Sequence, residues 1–223
     1  LQRLTLPGVP HVRGALGQLA DGLAANRRLE TLELGCNFIN AAGATQLASA
    51  VANHPALKTL ELPHNPLLDG GVGSLAAALR ANRSLTSLSV PFTGLGDDAC
   101  AALAQAIVGG STVAALDLSG NRVTAAGAAM LAEALGGGAS LTSLNLSANG
   151  RVGNEGALSL AASLAASGLE RLSLAGCSLT AAPCGRLVAA IGRSSVRELD
   201  LSSNELGDLG ACELAWGIAS GSP

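Results

Sequence analysis

The segment LDLSGNRVTAAGAAMLAEAL (116–135) decides how this chain folds. Its opening alternates with period two: Leu116 and Leu118 are apolar, Asp117 and Ser119 polar. That is the mark of a short strand with one face buried. Its second half places Ala128, Leu131, Ala132 and Leu135 at i, i+3, i+4 and i+7, the apolar stripe of an amphipathic helix. Ser119, Gly120 and Asn121 between the two halves supply turn chemistry.

The same unit recurs along the whole chain. LQRLTLPGV (1–9), LETLELGCN (29–37), LKTLELPHN (57–65), LTSLSVPFT (85–93), VAALDLSGN (113–121), LTSLNLSAN (141–149), LERLSLAGC (169–177) and VRELDLSSN (196–204) align in one register. Their starts lie 28 residues apart six times and 27 once, on the pattern L-x-x-L-x-L-x-x-N/C. The helical half repeats as well, for example in AAGATQLASAV (41–51), DACAALAQAI (98–107) and LGACELAWGI (209–218). A repeat of this period signals a solenoid. One strand–helix unit cannot bury its own apolar face, so the units stack into one continuous core. The expected class is α/β: eight strand–helix units, a parallel sheet on the concave face and helices on the convex face. Helices are wider than strands, so the stack curves into a horseshoe with an inner face of roughly 35–40 Å at about 4.8 Å per strand.

Each column has an expected role. Positions four and six, such as Leu32 and Leu34, point inward. Position nine is Asn37, Asn65, Asn121, Asn149 and Asn204, with Thr93 and Cys177 as smaller polar substitutes and Val9 as the exception. A buried amide there is expected to satisfy backbone groups of its own unit and the next. A glycine column (Gly43, Gly71, Gly127, Gly156, Gly210) opens the helices, where small size allows close packing on the strand. Pro183 takes that place in the seventh unit, which only a first helical turn tolerates.

With its 28-residue period and G-A-x-x-L-A-x-A-L helices, the chain resembles the ribonuclease-inhibitor-like class of leucine-rich repeats over essentially its whole length. LDLSGNRVTAAGAAMLAEAL (116–135) and LDLSSNELGDLGACELAWGI (199–218) carry the resemblance best. It implies a horseshoe that binds protein, acting as a structural subunit or docking module of a larger assembly. The class also includes repeat domains of NOD-like receptors, which act as sensors. It includes regulators such as a GTPase activator, and a ubiquitin-ligase substrate receptor would use the same surface. The repeats fill residues 1–223 as one leucine-rich-repeat domain. Its terminal units lack polar covers, so a longer parent chain is expected.

Composition narrows the function further. Apolar residues make up 48% of 223, yet aromatics only 1% and charged residues 13%, with a net charge of −3. Uniform small columns of Leu, Val and Ala explain the scarcity of rings. The charge balance lacks the basic footprint of a nucleic-acid binder. Low charge with high hydrophobicity argues against disorder. No apolar run reaches the roughly 18 residues of a membrane span. No basic stretch followed by an apolar one is visible at the start, which is Leu1 and not Met, so a fragment that has lost its leader stays an open reading. The outer helix positions are Ala, Ser and Gly where solvated solenoids carry charge, which suits packing against other subunits. The protein is expected inside the cell, in cytoplasm or an organelle.

Motifs for chemistry are weak. GLGDDA (94–99) and the glycines of GGVGSLA (70–76) echo a dinucleotide fingerprint, but both fall on the repeat's own turn-to-helix column. The five cysteines (Cys36, Cys100, Cys177, Cys184, Cys212) form no C-x-x-C pair and read as reduced structural thiols. His11, His54 and His64 stand near no conspicuous nucleophile. No cofactor, metal or catalytic constellation is expected.

What remains is a binding surface. Position five places Glu33, Glu61, Ser89, Asp117, Asn145 and Asp200 on the concave face. Glu33 and Glu61 should be neighbours about 5 Å apart, in a row that reads as a solvated acidic stripe or a patch for a basic partner. His64 and Phe92 share a rim column, either as an exposed contact or packed into the turn. Trp216 stands in an outward helix column otherwise filled by small or polar residues. It either covers the open end of the solenoid or anchors a partner.

Overall fold

A computed structural model describes residues 1–9, 12–137 and 140–220; His11 and the last three residues lie outside them. Eight three-residue strands form one parallel sheet in sequential order. They are β1 (Arg3–Thr5), β2 (Thr31–Glu33), β3 (Thr59–Glu61), β4 (Ser87–Ser89), β5 (Ala115–Asp117), β6 (Ser143–Asn145), β7 (Arg171–Ser173) and β8 (Glu198–Asp200). Each strand leads into a helix: α1 (Leu16–Ala25), α2 (Ala41–Ala52), α3 (Leu68–Ala81), α4 (Asp97–Val108), α5 (Ala125–Gly136), α6 (Gly153–Leu164), α7 (Cys184–Ile191) and α8 (Gly207–Ser220). A short 3-10 turn, Val12–Ala15, precedes α1. The sheet stays open, with β1 and β8 at its edges. This is the architecture the repeat predicts.

The core follows the repeat columns. Leu32, Leu60, Leu88, Leu116, Leu144 and Leu172 are buried on the helix-facing side of the sheet, and Leu34, Leu62, Val90, Leu118, Leu146 and Leu174, two residues further on, are buried with them. Helices supply the opposing wall, as in α2, where Ala44, Leu47, Ala48 and Val51 are buried and Ala42, Thr45, Gln46 and Ser49 are exposed. Burying one leucine in such a wall contributes about 2 kcal/mol. The edge units differ: Leu4 and Leu6 at β1 and Leu199 and Leu201 at β8 are only partly buried, because a strand at a sheet edge has a neighbour on one side only.

The position-nine ladder forms, with one change of direction. Asn65 Oδ1 accepts from the backbone N–H groups of Asn37 (3.0 Å) and Ile39 (2.9 Å), and Nδ2 donates to the carbonyls of Leu34 (2.9 Å) and Leu62 (3.1 Å). Each amide therefore serves its own unit and the one before it, not the one after. The first unit needs no Asn of its own, since Val9 donates its N–H to Asn37 Oδ1 at 2.8 Å. Thr93 reaches the Val90 carbonyl at 2.9 Å and Cys177 the Leu146 carbonyl at 3.2 Å, each replacing part of the amide's work.

The glycine column also has a different cause than close packing on the strand. A Cβ at Gly43 would lie 2.5 Å from Leu16 Cδ1 of α1, and one at Gly71 would lie 3.1 Å from Ala41 Cα of α2. Small residues here let neighbouring helices approach each other. Pro183 is the N-cap of α7, the short helix of the seventh unit.

Candidate functional site

The turn after each strand sets the geometry of the rim. Position eight is left-handed in all eight units: Gly8 (φ 63°), Cys36 (58°), His64 (55°), Phe92 (55°), Gly120 (65°), Ala148 (57°), Gly176 (62°) and Ser203 (56°). Glycine adopts this conformation freely, whereas a side chain there costs roughly 1 kcal/mol or more. The chain nonetheless places an imidazole and a phenyl ring in the column. Phe38 and Leu68 occupy further left-handed positions at φ 55° in the same turns.

These bulky residues face outward. Phe38 is 76% exposed, Phe92 51% and Leu68 48%. His64 and Phe92 stack with ring centroids 4.7 Å apart and planes 5° apart. They thus lie outside on the rim and not in the core of the turn, because a left-handed residue turns its side chain away from the strand's buried face. Gly120 continues the stack: a Cβ there would come within 2.3 Å of the Phe92 ring. Glycine at 120 is needed both for its φ and for the ring lying against it. Leu68 leans on Gly94 in the next unit, 3.0 Å from where a Cβ would stand. Phe38 and Leu68 were not singled out from sequence; that Phe38 is one of two phenylalanines in the chain was the available signal.

The concave residues sit in the expected register. Glu33 pairs with Glu61, Glu61 with Ser89, Ser89 with Asp117, and Asp117 with Asn145 along β2 to β6. Glu33 also forms an ion pair with Arg3, and Lys58 Nζ pairs with Glu30 at 2.9 Å. Both pairs are exposed and contribute at most about 1 kcal/mol. Toward the other end the carboxylates and amides close the strand turns. Asp117 accepts from the Ser119 N–H at 2.9 Å, Asn145 from Ser147 at 3.0 Å and Asp200 from Ser202 at 3.0 Å. Those Ser202 bonds, with help from the Ser173 hydroxyl, hold the Asp200 carboxyl below its ordinary pKa. Ser147, Ser173 and Asp200 form a hydrogen-bonded row across three units. Arg171 and Arg197 flank it, so this end of the face is mixed in charge.

Trp216 is 77% exposed on α8, a helix that also exposes Leu209 and Ile218. Its ring therefore does not bury itself over the open end.

The Gly-rich turns that echo a nucleotide motif are occupied by the protein's own carboxylates. Asp69 Oδ1 accepts from Gly96 N at 2.7 Å and Ala99 N at 3.1 Å, which satisfies the first turn of α4. Asp97 does the same for α5, through Thr124 N (2.9 Å) and Gly127 N (3.1 Å). A helix start already filled by a carboxylate offers no seat to a phosphate.

A second polar ladder, unread in the sequence, runs under the helix-to-strand turns. Asn26, His54 and Asn82 each accept two backbone N–H bonds from the residues two and three ahead; His54 Nδ1 takes Ala56 N at 3.2 Å and Leu57 N at 2.9 Å. Ser111 and Ser194 fill the place in later units. Burial pushes the His54 pKa down, and nearby Arg27 adds to this, against the opposing pull of the Asn26 carbonyl. His54 is thus a neutral strut. Among the cysteines, Cys100, Cys177 and Cys184 are buried and Cys36 and Cys212 exposed, all as free thiols. Burial raises the Cys100 thiol to about 12, with Asp97 and Asp69 adding to the shift, and the Cys177 thiol to about 11. Among the described residues, no group of His, Cys, Asp or Glu is placed to hold a metal ion, and no helix is long and apolar enough to cross a membrane.

Comparison with known proteins agrees with this architecture. Residues 81–104, 111–132, 139–161 and 194–215 match the leucine-rich-repeat family model. A stretch of 72 residues is 46% identical to ribonuclease inhibitor of Sus scrofa, covering 31% of this chain and 16% of that protein. The match thus spans about a sixth of the inhibitor's length. Among solved structures, the tropomodulin C-terminal domain of Caenorhabditis elegans aligns over 69% of this chain and 92% of its own, at 16% identity and a TM-score of 0.56. TLR13 in its complex with ssRNA13 aligns over 92% of this chain and 26% of its own, at 19% identity and a TM-score of 0.58. At these identities the structural likeness is one of fold. Four segments of the chain thus match leucine-rich repeats, one stretch is similar to ribonuclease inhibitor, and the fold is that of a leucine-rich-repeat solenoid.

Proposed function

We propose that this chain is a non-catalytic protein-binding scaffold, a structural subunit or docking module of a larger assembly. The observation that carries the reading is the preorganised surface. Two buried polar ladders fix the turns on either side of the sheet, so the concave and rim side chains stand in place before any partner arrives. A surface already ordered loses little conformational freedom on binding. Glu33, Glu61, Ser89, Asp117, Asn145 and Asp200 form its floor, and exposed Trp216 on α8 is a separate candidate contact. Protein is favoured over nucleic acid as the ligand: TLR13 holds an RNA in its printed complex, but here the carboxylates of that floor repel phosphate. The sparsely charged convex helices suit close contact with neighbouring subunits.

Native affinity purification from the source cell tests this. The chain should come down with a stoichiometric protein partner. Recovery of a lone monomer that turns over a small substrate would contradict the reading.

A further inference from the structure

The rim of the second to fourth units carries four bulky residues that the repeat does not require. Phe38, His64, Leu68 and Phe92 are all left-handed and all exposed. Units one, five and seven build the position-eight turn with glycine, so bulk is not needed to make it. Bulky side chains held in a disfavoured backbone conformation cluster at functional positions. The four residues form a ridge across three units, about 10 Å wide at the strand spacing, which an extended peptide covers with about three residues.

The charge around the ridge selects its occupant. The strand-to-helix segments 31–40, 59–70, 87–98 and 115–124 carry six carboxylates (Glu33, Glu61, Asp69, Asp97, Asp98, Asp117) against one guanidinium, Arg122. Asp69 and Asp97 are engaged as helix caps, which leaves Glu61, Asp117 and Glu33, the last already paired with Arg3, as the carboxylates on the sheet beside the ridge. Resting on the scaffold reading above, we infer that this rim docks an extended partner segment in which basic side chains alternate with apolar ones. Its apolar side chains lie against Phe38, Leu68 and the His64–Phe92 stack. Its basic side chains reach Glu33 and Glu61. Acidic segments are repelled, and the charged part of the interaction weakens with salt.

Glycine elsewhere in the repeat supplies a clean variant: units one, five and seven carry it at position eight, and the fourth unit carries Gly94 (φ 77°) at position ten, where Phe38 stands in the second. Phe38→Gly with Phe92→Gly removes both rings and relaxes two strained turns, so the fold is retained or stabilised. Random peptides displayed on phage are selected on the wild-type chain, and the selected peptides are titrated by fluorescence anisotropy against both proteins. The expected result is enrichment of Lys or Arg beside Leu, Phe or Trp, with binding at least about tenfold weaker to the double variant and an unchanged or higher unfolding midpoint. Four results overturn the inference: enrichment of acidic sequences, no enrichment at all, equal binding by the variant, or wild-type self-association that the variant loses, which would make a second copy the occupant. The natural partner separates this inference from the scaffold reading. If the variant keeps a stoichiometric partner, the rim assignment fails and the scaffold stands; if no partner is found for either protein, both fail.

Discussion

The carboxylate of Asp69, in the first turn of α3, accepts the backbone N–H of Gly96 at 2.7 Å and that of Ala99 at 3.1 Å. One side chain of the third unit therefore supplies the N-terminal cap of the fourth unit's helix. Asp69→Ala should lower stability by about 1–2 kcal/mol, as loss of a good cap does elsewhere, read as a fall in the denaturant midpoint. An unchanged midpoint would mean that water caps α4 equally well.

Asn65 should matter more. Its side chain holds five backbone groups and is fully buried. Asn65→Ala strands several of them, at about 3 kcal/mol given the usual cost of buried unpaired groups. Asn204 makes the same type of bonds in the last unit but is only part-buried, so water can replace it and Asn204→Ala should cost less. Equal losses at the two sites, measured by denaturant titration, would refute the ladder as described.

His54 makes stability pH-dependent. Its folded-state pKa is depressed below 6.5, so the unfolded chain takes up a proton first as pH falls. The stabilising contribution is complete above about pH 6.5 and is lost between there and the lower folded value. His54→Asn puts into the second unit the residue that units one and three already carry at Asn26 and Asn82. That variant should fold and show a flatter stability profile between pH 7 and pH 5 (about neutral to mildly acid). An identical profile would remove His54 as the sensor.

Thiol labelling under native conditions should modify Cys36 and Cys212 quickly. Cys100, Cys177 and Cys184 should react only on unfolding, since burial removes access and suppresses the thiolate. Mass spectrometry after timed labelling decides it: fast reaction at Cys100 would show that α4 opens readily.

The repeat made the architecture legible because one error-tolerant pattern is written eight times, and Leu116 or Leu118 need only match its column. Interactions between units were harder to read. Asp69 and Asp97 look like ordinary first-turn acids, and nothing local says that each caps a helix about one unit away. The second ladder mixes Asn26, His54 and Ser111 at two different offsets from the next strand, so no single column reveals it. Alignment did place His64 and Phe92 in one column, but the side on which the rings lie depends on a backbone φ. Gly8, Gly120 and Gly176 in that same column were the hint. Trp216 was legible as an outward residue, because its helix column carries small or polar residues in the other units.

The central claim is that a preorganised protein-binding surface is this chain's function. Amide hydrogen exchange, with and without the partner obtained by native purification, tests it most directly. The predicted result is slowed exchange along the strand ends and rim turns of the second to fifth units, with core amides of α2 to α6 unchanged. No slowing anywhere on the concave face or rim would contradict it.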